Sequence, residues 1–420
     1  MNSELMRRAA MTLGALLVYR IGIQVPLPGI NVAVWDELFK SQAGGLLGMA
    51  NIFAGGGINR MAILALNLIP YLIAAQLVQL HVIFWPRLRA LNERGDRGRR
   101  IIQQCTLGLT LLLATFQSLG IAVGLESAGS LVADPGLFFR ITAVVTLTGG
   151  TFFLIWLSEL ITVRGLGNGL AWILFVGIAT EVLRAVYFTL QLHQQGIFSN
   201  RLILGLAVLT IALVAFIVFM ELARRHVPVD YPERLLGEQT VQKRSSTLAF
   251  KLNGAGAIPL ILAGWLLSLL VVWWQVAVYA LTGGQDPRWF SWFEQFQLGH
   301  SGHLIYSVIA VVAISLIYVA LLIGPDQVAE KLKRYGSIVP GFEPGEATAD
   351  HIDKILSRTT LLGGAYLAAV VFVSEAVTVY AQVPFIFGAL SALIVVCTLL
   401  DLQAQVRGYN FITISRERQQ

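Results

Sequence analysis

Charge is the first thing this sequence lacks. Only 13% of its 420 residues are charged and 56% are hydrophobic, with a mean hydropathy of +0.71. Soluble domains carry about 25% charged residues. A soluble core of this size would have too few charges for a polar coat, so the composition indicates a membrane protein. Cysteine is nearly absent: Cys105 and Cys397 are the only two, and both fall inside apolar runs. They give no basis for a disulfide framework or a zinc site, and they suit small apolar filler. Catalytic signatures are missing too, with no H-E-x-x-H, no G-x-S-x-G and no Walker loop. His81 stands alone near the end of an apolar run, as an interfacial residue would. The string RGLGNG at Arg164–Gly169 superficially suggests a phosphate loop. It lacks a Lys-Ser/Thr pair and follows no strand, so that reading is rejected.

What is present has membrane length. No Asp, Glu, Lys or Arg lies between Arg60 and Arg87, between Arg100 and Glu126, or between Lys251 and Asp286. A bilayer core of roughly 30 Å needs about 20 apolar residues as helix. The runs predict ten spans, at approximately 9–25, 61–84, 101–124, 140–161, 168–190, 201–222, 254–280, 304–324, 359–378 and 385–405. Pro26 and Pro28 follow the first span where a cleavable signal would have small residues. With the N-terminus placed in the cytosol, 23 of the 30 Lys and Arg residues fall in cytosolic segments. That asymmetry matches the positive-inside rule and supports an even number of spans, with both termini cytosolic in the cytoplasmic membrane. The net charge of +6 therefore reports topology, and it is a poor sign of nucleic-acid recognition.

Two long polar loops, about 223–253 and 325–358, stand on the cytosolic side. The opposite loop at 281–303 carries Trp289, Phe290, Trp292 and Phe293, which suit the bilayer interface. Ten spans divide into halves of five, residues 1–190 and 191–420, and an odd number per half inverts the second. Inverted halves place a path or site at their interface. No internal repeat is visible, so the division follows from topology. Residues 31–60 begin amphipathic and end in LLGMANIFAGGGINR, too short and interrupted to span. A re-entrant segment fits, because irregular backbone at membrane depth is tolerated when buried in protein or lining a cavity. Arg20, Glu159, Glu181, Arg184, Glu221, Glu375 and Asp401 sit near span ends and suit interfacial anchors. None falls at a midplane, which weighs against an ion-coupled solute transporter. Asn67 and Pro70 interrupt span two and Pro259 interrupts span seven, as kinks for a hinged gate would.

Several strings then occur in order. They are YRIGIQVPLPGI (Tyr19–Ile30), NIFAGGGINR (Asn51–Arg60), LNLIPYLIA (Leu66–Ala74), RGDRGRRIIQQ (Arg94–Gln104) and ITVRGLGNG (Ile161–Gly169). KLNGAGAIPLI (Lys251–Ile261), the long run Val328–Ala368 and VPFIFGALSALIVV (Val383–Val396) follow. Together they resemble the SecY family over almost the whole chain, with matching spacing.

The resemblance implies an all-α polytopic membrane protein: ten helices in two inverted halves, a clamshell around an hourglass pore. The matching plug, within about 46–60, is Asn51, Ile52, Phe53, Ala54, Gly55, Gly56, Gly57, Ile58, Asn59 and Arg60. The matching pore ring is Leu68, Leu72, Leu174, Ile261 and Ile394. Aliphatic rings give water and ions no partner, so they gate by dewetting. Glycines 55–57 suit a hinge. The implied lateral gate lies between spans two and seven. The implied partners are small SecE- and SecG-type subunits, a SecA-type ATPase or a ribosome, signal-peptide preproteins and lipid, with no cofactor and no catalytic site. Docking falls to the cytosolic loops, with Arg234, Glu238, Lys243, Arg244, Lys331, Lys333, Arg334 and Glu343 as candidates.

The chain also departs from the family pattern. PGFEPG places Glu343 where bacterial members have an arginine. Gly237 is followed by Glu238 and Gln239 where a basic pair is usual. Ala389 replaces the second glycine of span ten, and the tail after Gln405 is short. These changes spare the pore and touch the docking surface. A specialised paralogue with another motor or restricted clients is the alternative, and a ten-helix small-solute transporter is the rival from another class.

Overall fold

The computed structural model describes residues 3–42, 51–52, 54–92, 95–127, 131–231, 234–236, 239–241, 244–267, 295–296, 300–322, 324–381 and 388–417. The chain is dominated by helices: α1 (Ser3–Gly22), α2 (Val32–Gln42), α3 (Ile69–Phe84), α4 (Pro86–Asn92), α5 (Asp96–Ser127), α6 (Leu137–Arg164), α7 (Gly169–Gln194) and α8 (Asn200–Leu222) come first. After four strands come α9 (Ile258–Leu267), α10 (Ser301–Leu322), α11 (Pro325–Arg334), α12 (Glu346–Ala381) and α13 (Ala389–Glu417). Among the described residues, seven helices are long and apolar enough to cross a membrane. The aromatics Trp289, Phe290, Trp292 and Phe293, the second half of span seven and Val383–Phe387 lie outside the described residues.

The chain divides into two compact units, Met1–Ile203 with Val383–Phe387 and Ser391–Gln420, and Leu204–Gln382 with Gly388–Leu390. In the first unit, α5 packs on α6 through small residues. Thr106, Thr110, Ala114, Ser118 and Ala122 recur every fourth position and are buried. Leu111, Leu112, Phe116 and Leu119 lie outward and exposed. This inverts a soluble amphipathic helix, because lipid is as apolar as leucine and close backbone approach drives membrane packing. Their hydroxyls bond carbonyls four residues back, Thr110 at 2.7 Å and Ser118 at 2.6 Å, so burial leaves them satisfied.

The sharp α6–α7 turn explains RGLGNG. Asn168 caps α7, accepting from Leu170 N at 3.0 Å and Ala171 N at 3.4 Å. Trp172 Nε1 donates to Leu166 O at 2.7 Å, and Gly167 takes a φ of +82°. The glycines serve a tight turn.

In the second unit α10 packs along α12, where Gly364 lets Ser315 and Val312 approach. A polar knot ties the end of α8 and the residues before α9 to the middle of α12. Asn253, before α9, donates to Glu221 of α8 at 2.7 Å, and Tyr366 of α12 donates to it at 3.3 Å. The loop at 223–253 is no irregular stretch. β1 (Arg224–Tyr231) pairs antiparallel with β4 (Arg244–Lys251), and between them β2 (Arg234–Leu236) pairs with β3 (Gln239–Val241). Val227 and Val229 alternate with outward residues and pack on Val339, Leu332 and Ile355 from the other long loop. Asp230 and Ile338 exchange backbone bonds of 2.8 and 2.9 Å. The two loops thus share a small core of their own.

Candidate functional site

The segment from Ala54 to Leu68 winds through successive turns and forms no long helix. The span predicted at 61–84 is helical only from Ile69. The reason lies in two backbone conformations. Met61 and Asn67 adopt φ of +44° and +49°, which break helical continuity. Asn67 tolerates that geometry and is fully buried, with Nδ2 3.4 Å from the Tyr19 hydroxyl. Pro70 is therefore no mid-helix kink. It sits in the first turn of α3, where its missing N–H and fixed φ suit a helix start. Pro259 likewise lies in the first turn of α9. Both prolines open helices that the sequence suggested they would interrupt.

Residues 51–60 are seated firmly, apart from Phe53, which lies outside the described residues. Asn51 and Ala54 to Gly57 are buried, while Ile58, Asn59 and Arg60 are half-buried. Asn51 Nδ2 donates to Glu181 Oε2 of α7 at 3.1 Å, and its Oδ1 accepts from Asn59 N at 2.8 Å. Arg20 of α1 donates to Gly55 O and to Thr180 Oγ1, each at 3.1 Å. Trp35 of α2 donates to Ile58 O at 2.8 Å. Gly55 and Gly56 have φ of +63° and +88°. The glycines were expected to give a hinge, and here they permit close packing. A Cβ on Gly57 would meet Ala54 O at 3.1 Å and the Ala65 Cα at 3.2 Å.

Glu181, Arg20 and Arg184, expected as interfacial anchors, are gathered around this segment. Glu181 is 7% exposed and pairs with Arg184 at 3.1 Å. The signal in the sequence was Thr180, Glu181 and Arg184 together on one turn of an apolar helix, which lipid alone would not favour. His303 and Glu375 form a further partly buried pair at 2.9 Å in the second unit.

The ring candidates fall in different settings. Leu68 is fully buried, packed with Tyr19, Leu64, Leu154 and Ile173. Leu72, one turn on, keeps a half-exposed face, and Leu174 is buried on α7. Ile394 is half-buried on α13, and Ile261 is half-buried on α9 of the other unit. Among the docking candidates, Lys331, Lys333 and Arg334 are exposed on α11, with Arg334 2.7 Å from Glu330. Glu343 is exposed in the turn before α12, its carbonyl accepting from Thr348 at 2.6 Å. Arg234 lies in β2 and Arg244 in β4, whereas Glu238 and Lys243 lie outside the described residues.

Comparison with known proteins agrees with this architecture. The family model for SecY matches residues 62–403. The protein translocase subunit SecY of Escherichia coli K12 is 38% identical over 408 residues, 96% of this chain and 91% of that one. A SecY structure whose plug domain stabilises the closed translocation channel and maintains a membrane seal aligns with a TM-score of 0.61 at 17% identity. That alignment covers 96% of this chain and 92% of the other. Canine Sec61 from a ribosome–channel complex of the endoplasmic reticulum aligns with a TM-score of 0.60 at 15% identity, over 96% and 91% of the two chains. With its family match across most of its length and a near-full-length relative well above 30% identity, this chain belongs to the SecY family of protein translocase channel subunits.

Proposed function

We propose that this chain conducts unfolded, signal-peptide-bearing preproteins across the cytoplasmic membrane, with both termini cytosolic. It releases transmembrane segments sideways between α3 and α9. The carrying observation is the buried segment of turns that precedes α3 and stands where a plug is expected. Residues 51–60 form the plug, and Leu68, Leu72, Leu174, Ile261 and Ile394 form the aliphatic ring. The functional halves are 1–190 and 191–420. The chain supplies no catalytic step and binds no cofactor. Force comes from a SecA-type motor or a ribosome on the long loops, near Arg234, Glu238, Lys243, Arg244, Lys331, Lys333, Arg334 and Glu343. SecE- and SecG-type subunits flank it in lipid.

The exposed Glu343 favours a second reading, an accessory channel with a different motor or restricted clients. Depletion of the chain followed by an export assay tests both. Retention of signal-bearing proteins in general supports the main channel, and retention of a narrow set supports the accessory one. Undisturbed export of every client overturns both.

A further inference from the structure

A carboxylate in the apolar part of a helix is unfavourable unless it is paired. Glu181 lies there, nearly out of contact with solvent, on α7. Its partners come from two places. Arg184, on the same turn, holds Oε1 at 3.1 Å. Asn51, at the start of the 51–60 segment, holds Oε2 at 3.1 Å. On the other side Arg20 reaches from α1 to Gly55 O and Thr180, so one cation spans the segment and α7. Gly56 completes the seat, because a Cβ there would collide with the Glu181 carboxylate. The contact between segment and helix is therefore polar at its centre.

The physical consequence differs from that of an apolar seat. Apolar surfaces stay together because water surrounds them. Charge-assisted hydrogen bonds are strong in a dry, low-dielectric site and nearly exchangeable once water arrives. Such a seat holds firmly while dry and releases readily when wetted.

We propose that Glu181, together with Arg20, is a positioning residue that latches the 51–60 segment closed through a contact strong only when dry. It thereby sets how readily the channel opens. The proposal rests on the reading of 51–60 as the plug.

The test uses the full chain with its membrane partners, reconstituted for ion conductance and expressed for export of a reporter with a defective signal. Asn51→Asp sets two carboxylates face to face. It should raise leak and defective-signal export on the order of tenfold, the effect of losing one charge-assisted bond. Adding Glu181→Gln to Asn51→Asp restores one carboxylate against one amide in reversed order. Both readouts should return toward wild type, which mere structural damage would not do. Glu181→Gln alone keeps an amide in place and should leak less than Asn51→Asp but more than wild type. It keeps the test readable if Asn51→Asp fails to assemble. A deletion of residues 54–59 separates the two ideas. If it leaks while Asn51→Asp is silent, or if the double variant does not restore closure, the latch is overturned alone. A deletion that does not leak overturns the plug and the latch together.

Discussion

Gly55 and Gly177 lie so close that neither position has room for a side-chain carbon. A Cβ on Gly55 would stand 2.8 Å from the Gly177 Cα, and one on Gly177 would stand 3.0 Å from the Gly55 Cα. Two glycines facing each other let a segment of turns rest directly on a helix.

The first prediction follows from that approach. Gly177→Ala adds only the overlap, since α7 is helical there. Gly55→Ala adds the overlap and a left-handed backbone at φ +63°. Overpacking of this kind costs about 1–3 kcal/mol, and a left-handed alanine adds roughly 1–2 kcal/mol. Both variants should push the segment off α7 and raise ion conductance, with Gly55→Ala the stronger. Single-channel recording checks this, and equal wild-type conductance in both would contradict the close approach.

The proposed aliphatic ring gives the second. Ile261→Asn or Ile394→Asn would place a hydrogen-bonding amide in that proposed apolar surface. Each variant should admit water more easily and export proteins with defective signals. Export of a signal-impaired reporter measures this. Unchanged conductance and unchanged stringency in both variants would remove these residues from the ring.

A third concerns the α6–α7 turn. Asn168→Ala removes the cap that accepts from Leu170 and Ala171. The loss should be about 1 kcal/mol, read as a lower melting temperature in detergent with conductance unchanged. Asn168→Ser should recover most of it, because the hydroxyl still accepts.

The loop core gives a fourth. Val229 is 1% exposed between β4 and Val339. Val229→Asp buries an unpaired charge and should unfold the β1–β4 hairpin while leaving the spans intact. Limited proteolysis should then cut β1 and β4 faster than in the wild type. A hairpin that stays protected would show that this core contributes little.

The fifth prediction addresses docking. An exposed ion pair nets about 0–1 kcal/mol, so reversing a charge shifts a partner's binding by roughly 1–2 kcal/mol, about tenfold in affinity. Glu343→Arg should strengthen binding of a typical SecA-type motor and make it more salt-sensitive. Motor affinity at two salt concentrations checks this. No change, or weaker binding, would release position 343 from any docking role.

Much of the fold was legible because lipid imposes a simple rule on sequence. Charge-free runs longer than a bilayer become helices, and α5, α6, α7 and α8 lie within a few residues of their predicted limits. The amphipathic start at 31 became α2, with Trp35 and Phe39 one turn apart and buried. The β1–β4 hairpin was missed, although His226, Val227, Pro228 and Val229 alternate with period two. Four residues of alternation in a charged loop are easily overlooked, and only the partner strand and Val339 make them a core.

The sequence by itself determined that this chain spans a membrane, where α5 to α8 run and which family its motifs join. Those follow from composition and from order along the chain. Tertiary structure alone decided how residues 51–68 are held. Asn51 and Glu181 are 130 positions apart, and so far apart no local pattern can report that they share a hydrogen bond. Left-handed turns at Met61 and Asn67 likewise delayed a helix that hydropathy placed eight residues earlier. Hydropathy measures affinity for lipid, whereas the backbone there answers to the buried partners around it.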